Sequence, residues 1–155
     1  MAVLLFSGCD KVGKTTLFQA VLKKTNAHIC VDRFTPCQHV YGTHHKREDT
    51  PSVEYLTNVE LALEDYAGVV YVEAFLEDII ERFHTHNEKD IELEDIQKII
   101  NSYRNYVNNT PLPVLYLNTS ILNIEECVSE IVKFGNWIDN GGDPLGEDGP
   151  RRLLF

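Results

Sequence analysis

A chain of 155 residues that is 43% hydrophobic and 25% charged can build one domain with a real core, and is too short to expect two. Its 14 Lys and Arg against 24 Asp and Glu leave a formal net charge of −10, which argues against a duplex nucleic-acid surface, because such a surface needs clustered basic side chains. The first apolar run is too short for a signal segment, and no later one approaches the length of a membrane span.

Residues 2–6 read as a first strand. The loop Gly8-Cys9-Asp10-Lys11-Val12-Gly13-Lys14-Thr15 follows, in the pattern G-x-x-x-x-G-K-S/T. Gly8 and Gly13 let the backbone turn tightly and aim successive N–H groups at one anion. Lys14 brings a charge that reaches β- and γ-phosphates, and the Thr15 hydroxyl, with Thr16 beside it, can ligate Mg²⁺. Residues 14–24 read as a helix with Leu17, Ala20, Val21 and Leu22 on its apolar side, and its N-terminal dipole end adds to the phosphate site. This combination points to a nucleoside triphosphate, ATP with Mg²⁺, as the bound cofactor.

Residues 27–31 read as a second strand ending at Asp32-Arg33, and 34–41 as a loop turning into a helical turn, with a polar, histidine-rich stretch at 42–50. Pro51 or Ser52 opens a helix to about Tyr66, on which Val53, Leu56, Val59 and Leu63 recur at helical spacing, and Gly68 ends it. Residues 69–72 form a β-branched third strand, 76–86 a helix, 87–90 a break, and 92–108 a helix with Ile96, Ile99, Ile100, Tyr103 and Val107 in a stripe. A turn at 110–113, a fourth strand at 114–117 and a helix at 124–138 complete the pattern.

Apolar strands separated by helices predict an α/β fold: a small parallel sheet of about four strands between helical layers. Residues 1–139 form one domain, and 140–155, carrying Gly-Gly-Asp-Pro and Gly-Glu-Asp-Gly-Pro, an irregular C-terminal tail. Such sheets bind ligands beyond the carboxyl ends of their strands, where the loop, Asp32-Arg33, Glu73 and Asn118-Thr119-Ser120 all fall. Asp32 then lies near a metal held by Thr15, and the Arg33 guanidinium suits a second phosphate. Cys9, Cys30, Cys37 and Cys127 lack C-x-x-C spacing and read as free thiols of a reducing cytosol. His44-His45 and His84/His86 lack companions at metal-ligand spacing and read as solvated residues.

The run from Phe6 to Thr16, Asp32-Arg33-Phe34 with Val40-Tyr41 downstream, and Val69 to Ala74 leading into Leu76–Arg82 together resemble the thymidylate kinase family of nucleoside monophosphate kinases. Residues 96–106 and 114–117 are similar to its closing helix and strand, so the likeness runs through most of the chain. It implies a three-layer P-loop kinase fold and ATP-dependent phosphoryl transfer to a deoxynucleoside monophosphate, most readily dTMP or a modified pyrimidine nucleotide. By that resemblance Lys14 and Thr15 hold ATP and Mg²⁺, Arg33 grips the acceptor phosphate, Asp32 stands between acceptor and metal, and Asp10 touches the acceptor sugar. Lys11 takes the place of a loop arginine that stabilises the transferring phosphoryl group in one branch of the family, and in the stretch directly after the third strand, where the other branch carries its lid arginines, the chain offers only Arg82, then His84 and His86. The resemblance also suggests a homodimer.

The chain departs from the family where the acceptor base would be read. Only Thr25 and Asn26 separate the first helix from the second strand, where the family inserts a strand and two helices, and Gly42 replaces a base-contacting glutamine. Tyr41, Phe34, Tyr55 or Tyr66 could supply the lost stacking surface. Such a compact form is expected of a bacteriophage enzyme working in the cytoplasm of its bacterial host. Two other readings stay open: a kinase of a nucleoside or of a hydroxymethylated base in DNA, for which Lys46-Arg47 is the available cationic cluster, and a non-catalytic nucleotide-binding protein.

Overall fold

The computed structural model describes residues 1–86 and 93–142. The expected break at 87–90, the first residue of the helix expected from Glu92, and the expected irregular tail from residue 143 onward lie outside the described residues.

Four strands, β1 (Val3–Ser7), β2 (Ile29–Asp32), β3 (Ala67–Glu73) and β4 (Val114–Asn118), form one parallel sheet in the order β2-β1-β3-β4. The connections supply α1 (Lys14–Lys24), α2 (Thr35–His44), α3 (Val53–Leu61), α4 (Leu76–Thr85) and α5 (Leu93–Asn109), and α6 (Ile124–Asp139) follows β4. Every residue of β3 is buried, as expected of a central parallel strand covered on both faces. Side-chain alternation sorts those faces. Gly68 lies against Phe134 and Ile138 of α6, and Phe6, paired with Val70, meets Phe18 of α1 edge to face with centroids 5.5 Å apart. On the opposite face Tyr71 stacks on Tyr103 of α5 at 6.0 Å. The predicted α/β sandwich is therefore present, with Ser7, Asp32, Glu73 and Asn118 ending their strands at one edge.

Three local expectations give way to tertiary context. Residues 35–44 form a full helix rather than one turn, because Pro36 pre-sets its first turn and Cys37 and Val40 are buried where α2 packs on α5. α3 stops at Leu61, since Tyr66 is already committed to the sheet, its carbonyl accepting from Val3 N–H at 2.8 Å. Gly68 belongs to β3 and does not end a helix; a Cβ there would stand 2.5 Å from Phe134 Cζ, so the missing side chain makes room for α6.

One buried acid fixes α2 and α3 relative to α5. The Glu60 carboxylate is 1% exposed and accepts from Thr35 Oγ1 at 2.5 Å, Tyr106 Oη at 2.8 Å and Thr110 Oγ1 at 2.6 Å. A buried carboxylate is tolerable only with its lone pairs engaged, and three hydroxyls provide that. Thr35 opens α2 two residues after Arg33, so this cluster anchors the chain just past the sheet edge.

Candidate active site

β1 runs straight into the Gly8–Thr15 loop, and α1 begins at Lys14. Gly8 has φ +150°, and a Cβ there would collide with the Val72 carbonyl oxygen. Gly13, at φ +93°, is the residue preceding α1. Lys11 between them is held at φ +66°, uncommon for a residue with a side chain. No side chain caps α1, and its first turn carries no acidic residue, so its leading N–H groups face outward for an anion.

Lys14 is 5% exposed, and its Nζ lies 3.5 Å from Asp32 Oδ1. Among the described residues neither atom has a hydrogen-bond partner. An ammonium with three donors facing one carboxylate at that distance retains unused capacity, which fits phosphate oxygens. The Thr15 hydroxyl sits in the exposed first turn of α1, and Asp32 adds a carboxylate from the end of β2. Alcohol and carboxylate oxygens are the hard donors that suit Mg²⁺, so these residues fit the cation and the triphosphate alike.

Arg33 has φ +63°, a strained conformation of the kind that concentrates at functional sites. Its N–H donates to Phe6 O at 3.2 Å, tying it to the sheet, and its Nη2 stands 3.5 Å from Asp10 Oδ1. This pair is open to solvent, Arg33 at 60% and Asp10 at 48%. The Asp10 N–H donates to Tyr41 Oη of α2 at 3.0 Å. Burial, followed by the Asp10 charge, pushes the Tyr41 phenol above its ordinary range. The Cys9 thiol is pushed up to about 12 by burial, with the Asp10 and Glu73 charges adding to it, so at neutral pH it is an un-ionised packing group.

A cleft of about 1220 Å³ opens over the loop. Asp10, Lys11, Gly13, Lys14, Thr15, Thr16, Arg33 and Arg82 all line it, so the structure gathers most of the residues singled out from sequence. Gly8 lies beneath, against Val72, and Asp32 reaches the cleft through Lys14. Tyr55 and Tyr66 are on the exposed surface away from the cleft walls, and so are Lys46 and Arg47, which leaves the proposed cationic cluster for DNA outside the site.

The fold has a solved counterpart. The YorR protein of Bacillus subtilis, solved in complex with phosphorylated GDP, matches with a TM-score of 0.76 over 90% of this chain and 98% of that one, at 19% identity. No protein-family model and no curated protein matches the chain. At 19% identity the likeness is one of fold. The chain has a P-loop kinase-like α/β fold.

Sequence reasoning passed over several residues of the cleft. Thr119, which the sequence places at the ligand edge without a role of its own, donates from Oγ1 to Val12 O at 2.5 Å. Leu122 and Ile124 give the far wall an apolar surface, and Asn123 caps α6 with a reciprocal bond to Glu126. At the strand edge Glu73 is buried and pairs with Arg104 Nε at 2.6 Å while accepting from Tyr116 Oη at 2.9 Å. The hydrogen bond to Glu73 holds the Arg104 guanidinium above its ordinary value. The Asn123–Glu126 box is the one signal of this group readable locally.

Proposed function

We propose that the protein is an ATP-dependent kinase that transfers the γ-phosphoryl group to a nucleotide, with a deoxynucleoside monophosphate, dTMP or a modified pyrimidine, as acceptor. The observation that carries this reading is the buried Lys14 ammonium at 3.5 Å from Asp32, under a loop whose cleft also receives Arg33. Loop N–H groups and Lys14 hold the donor triphosphate, Thr15 and Asp32 would hold Mg²⁺, and Arg33 binds the acceptor phosphate. Lys11 brings charge beside the group being transferred. Bound Mg²⁺ supplies charge neutralisation on phosphate oxygens; the chain's own part is to set donor and acceptor in line, which is most of what phosphoryl transfer requires. Asp32, beside Lys14, orients the attacking acceptor oxygen.

A second reading has one observation behind it. The phosphorylated GDP of the YorR structure makes a guanine nucleotide a candidate ligand of this cleft as well. A coupled ATP-consumption assay over deoxynucleoside and ribonucleoside monophosphates, guanine nucleotides and free nucleosides separates the two. In that assay Arg33→Ala is expected to lose acceptor use by about a hundredfold or more while ATP binding persists. Equal loss of both would remove Arg33 from the acceptor role.

A further inference from the structure

A loop that turns its N–H groups inward onto phosphate turns carbonyls outward, and each of those needs a donor of its own. In this chain two successive carbonyls of the loop are taken by side chains from distant elements. Lys11 O accepts from Arg82 Nη1 at 2.8 Å, and Val12 O accepts from Thr119 Oγ1 at 2.5 Å. The two donors also meet, with Arg82 Nη1 at 3.4 Å from Thr119 Oγ1.

Each donor is itself anchored. Arg82 belongs to the last turn of α4, and Thr119 follows β4 with its N–H bonded to Glu73 O at 2.9 Å. The Thr119 methyl lies against the second loop glycine, 3.5 Å from where a Cβ on Gly13 would stand. Lys11, whose carbonyl Arg82 holds, is the loop residue with a side chain at positive φ, a conformation that persists only where surroundings impose it.

The geometry points to Arg82 and Thr119 as positioning residues of the phosphate loop, gripping its outward carbonyls so that its N–H groups stay aimed at the donor triphosphate. Arg82 works through the loop backbone, not on the transferred phosphoryl group. The two roles leave different kinetic marks. A positioning residue contributes equally to ground and transition states, so its loss raises KM and the dissociation constant with kcat preserved. An arginine acting on the transferring group contributes a factor of about 10³–10⁵ to kcat.

This inference rests on the reading of the loop as a triphosphate site, and the test separates the two. Binding of inorganic tripolyphosphate with Mg²⁺, and of ATP, is measured by calorimetry for the unaltered protein, Lys14→Ala, Thr119→Val, Thr119→Ser and Arg82→Gln. Thr119→Val and Arg82→Gln are each expected to bind about tenfold more weakly, with Thr119→Ser within about twofold of the unaltered protein. KM for ATP rises in parallel in Arg82→Gln, with kcat held within about threefold. Undiminished binding by both variants, with Lys14→Ala defective, overturns the positioning role and leaves the triphosphate reading standing. A hundredfold fall in kcat of Arg82→Gln at unchanged KM overturns it as well. Failure of the unaltered protein to bind either ligand overturns the triphosphate reading and the inference together. Should Thr119→Val not fold by circular dichroism, Arg82→Gln decides.

Discussion

On the loop side of the cleft, the carbonyls of Lys11 and Val12 are held at 2.8 and 2.5 Å by side chains from two later elements, and the Lys14 ammonium beneath them is buried. Beside it, Arg33 from the end of β2 meets the loop's own Asp10 at 3.5 Å, in a charged pair with both partners about half exposed. The loop wall is tied by cross-links to its own carbonyls, the Arg33 side by what lies behind it: Glu60 and its three hydroxyls, which fix the start of α2. Phosphate binding by a preformed nest needs the first kind of construction, whereas an acceptor that must enter and leave is served by charges free to exchange partners with it.

The largest effect expected from breaking this contrast is that of Glu60→Ala. It strands the hydroxyls of Thr35, Tyr106 and Thr110, all buried, at about 1 kcal/mol or more each. A loss of about 3 kcal/mol follows, or a fall in melting temperature on the order of 10 °C for a chain of this size. Glu60→Gln keeps one carbonyl acceptor and should lose less. At temperatures where both variants remain folded, KM for the acceptor should rise while tripolyphosphate affinity at the loop stays near its original value. Parallel loss of both would show that the two walls are not independently supported.

The alkaline limb of the stability profile sharpens the comparison further. Cys9 lies in the loop, with its thiol raised from 9.0 to about 12, and Tyr41 lies in α2 against the Asp10 N–H, with its phenol raised above 10.0. In both, folding favours the protonated form, so the contribution is complete below the unfolded value and is lost as pH rises toward the folded one. Stability should therefore begin to fall near pH 9 through Cys9 and more steeply near pH 10 through Tyr41. Denaturant midpoints measured from pH 8 to 11 test this: Cys9→Ala should flatten the decline from pH 9 upward, and Tyr41→Phe should remove part of the added decline above pH 10, which it shares with Tyr71, Tyr103, Tyr106 and Tyr116, all raised by burial. An unchanged slope in Cys9→Ala would assign the early limb elsewhere, with Cys30 and Cys127, both raised by burial, the next candidates.

The same contrast explains what could be read from sequence. The loop was legible because Gly8, Gly13, Lys14 and Thr15 act through backbone geometry and spacing within eight residues. The parallel sheet was legible because strands covered on both faces are apolar throughout. Position after a strand puts Thr119 at the ligand edge, but its grip on the loop has no local signal, since its partner Val12 lies 107 positions away. The sequence predicts only a helical turn where α2 forms, because that helix depends on Cys37 and Val40 burying against α5, not on its own periodicity. Gly68 misled for a related reason: it serves Phe134, a contact invisible to local turn chemistry.

The smallest structural effect is expected from Asp10→Asn, whose functional effect should fall on the acceptor alone. An ion pair this exposed contributes at most about 0.5 kcal/mol, and the bond to Tyr41 comes from the Asp10 backbone, which the substitution leaves in place. The melting temperature should therefore move by no more than about 2 °C. For the acceptor, two effects oppose each other. Freed of its partner, Arg33 is more available to phosphate, again by at most about 0.5 kcal/mol. Against that, if Asp10 receives an acceptor sugar hydroxyl as the family resemblance implies, that carboxylate bond contributes about 1.5–3 kcal/mol, of which a neutral amide oxygen keeps about 0.5–1.5 kcal/mol. The second term is larger by about 0.5–1 kcal/mol, so KM for the acceptor should rise about threefold while KM for ATP holds. Tighter acceptor binding in Asp10→Asn would reverse that assignment: Asp10 would then be only the resting partner of Arg33, and the sugar would have to be held from the Tyr41 side.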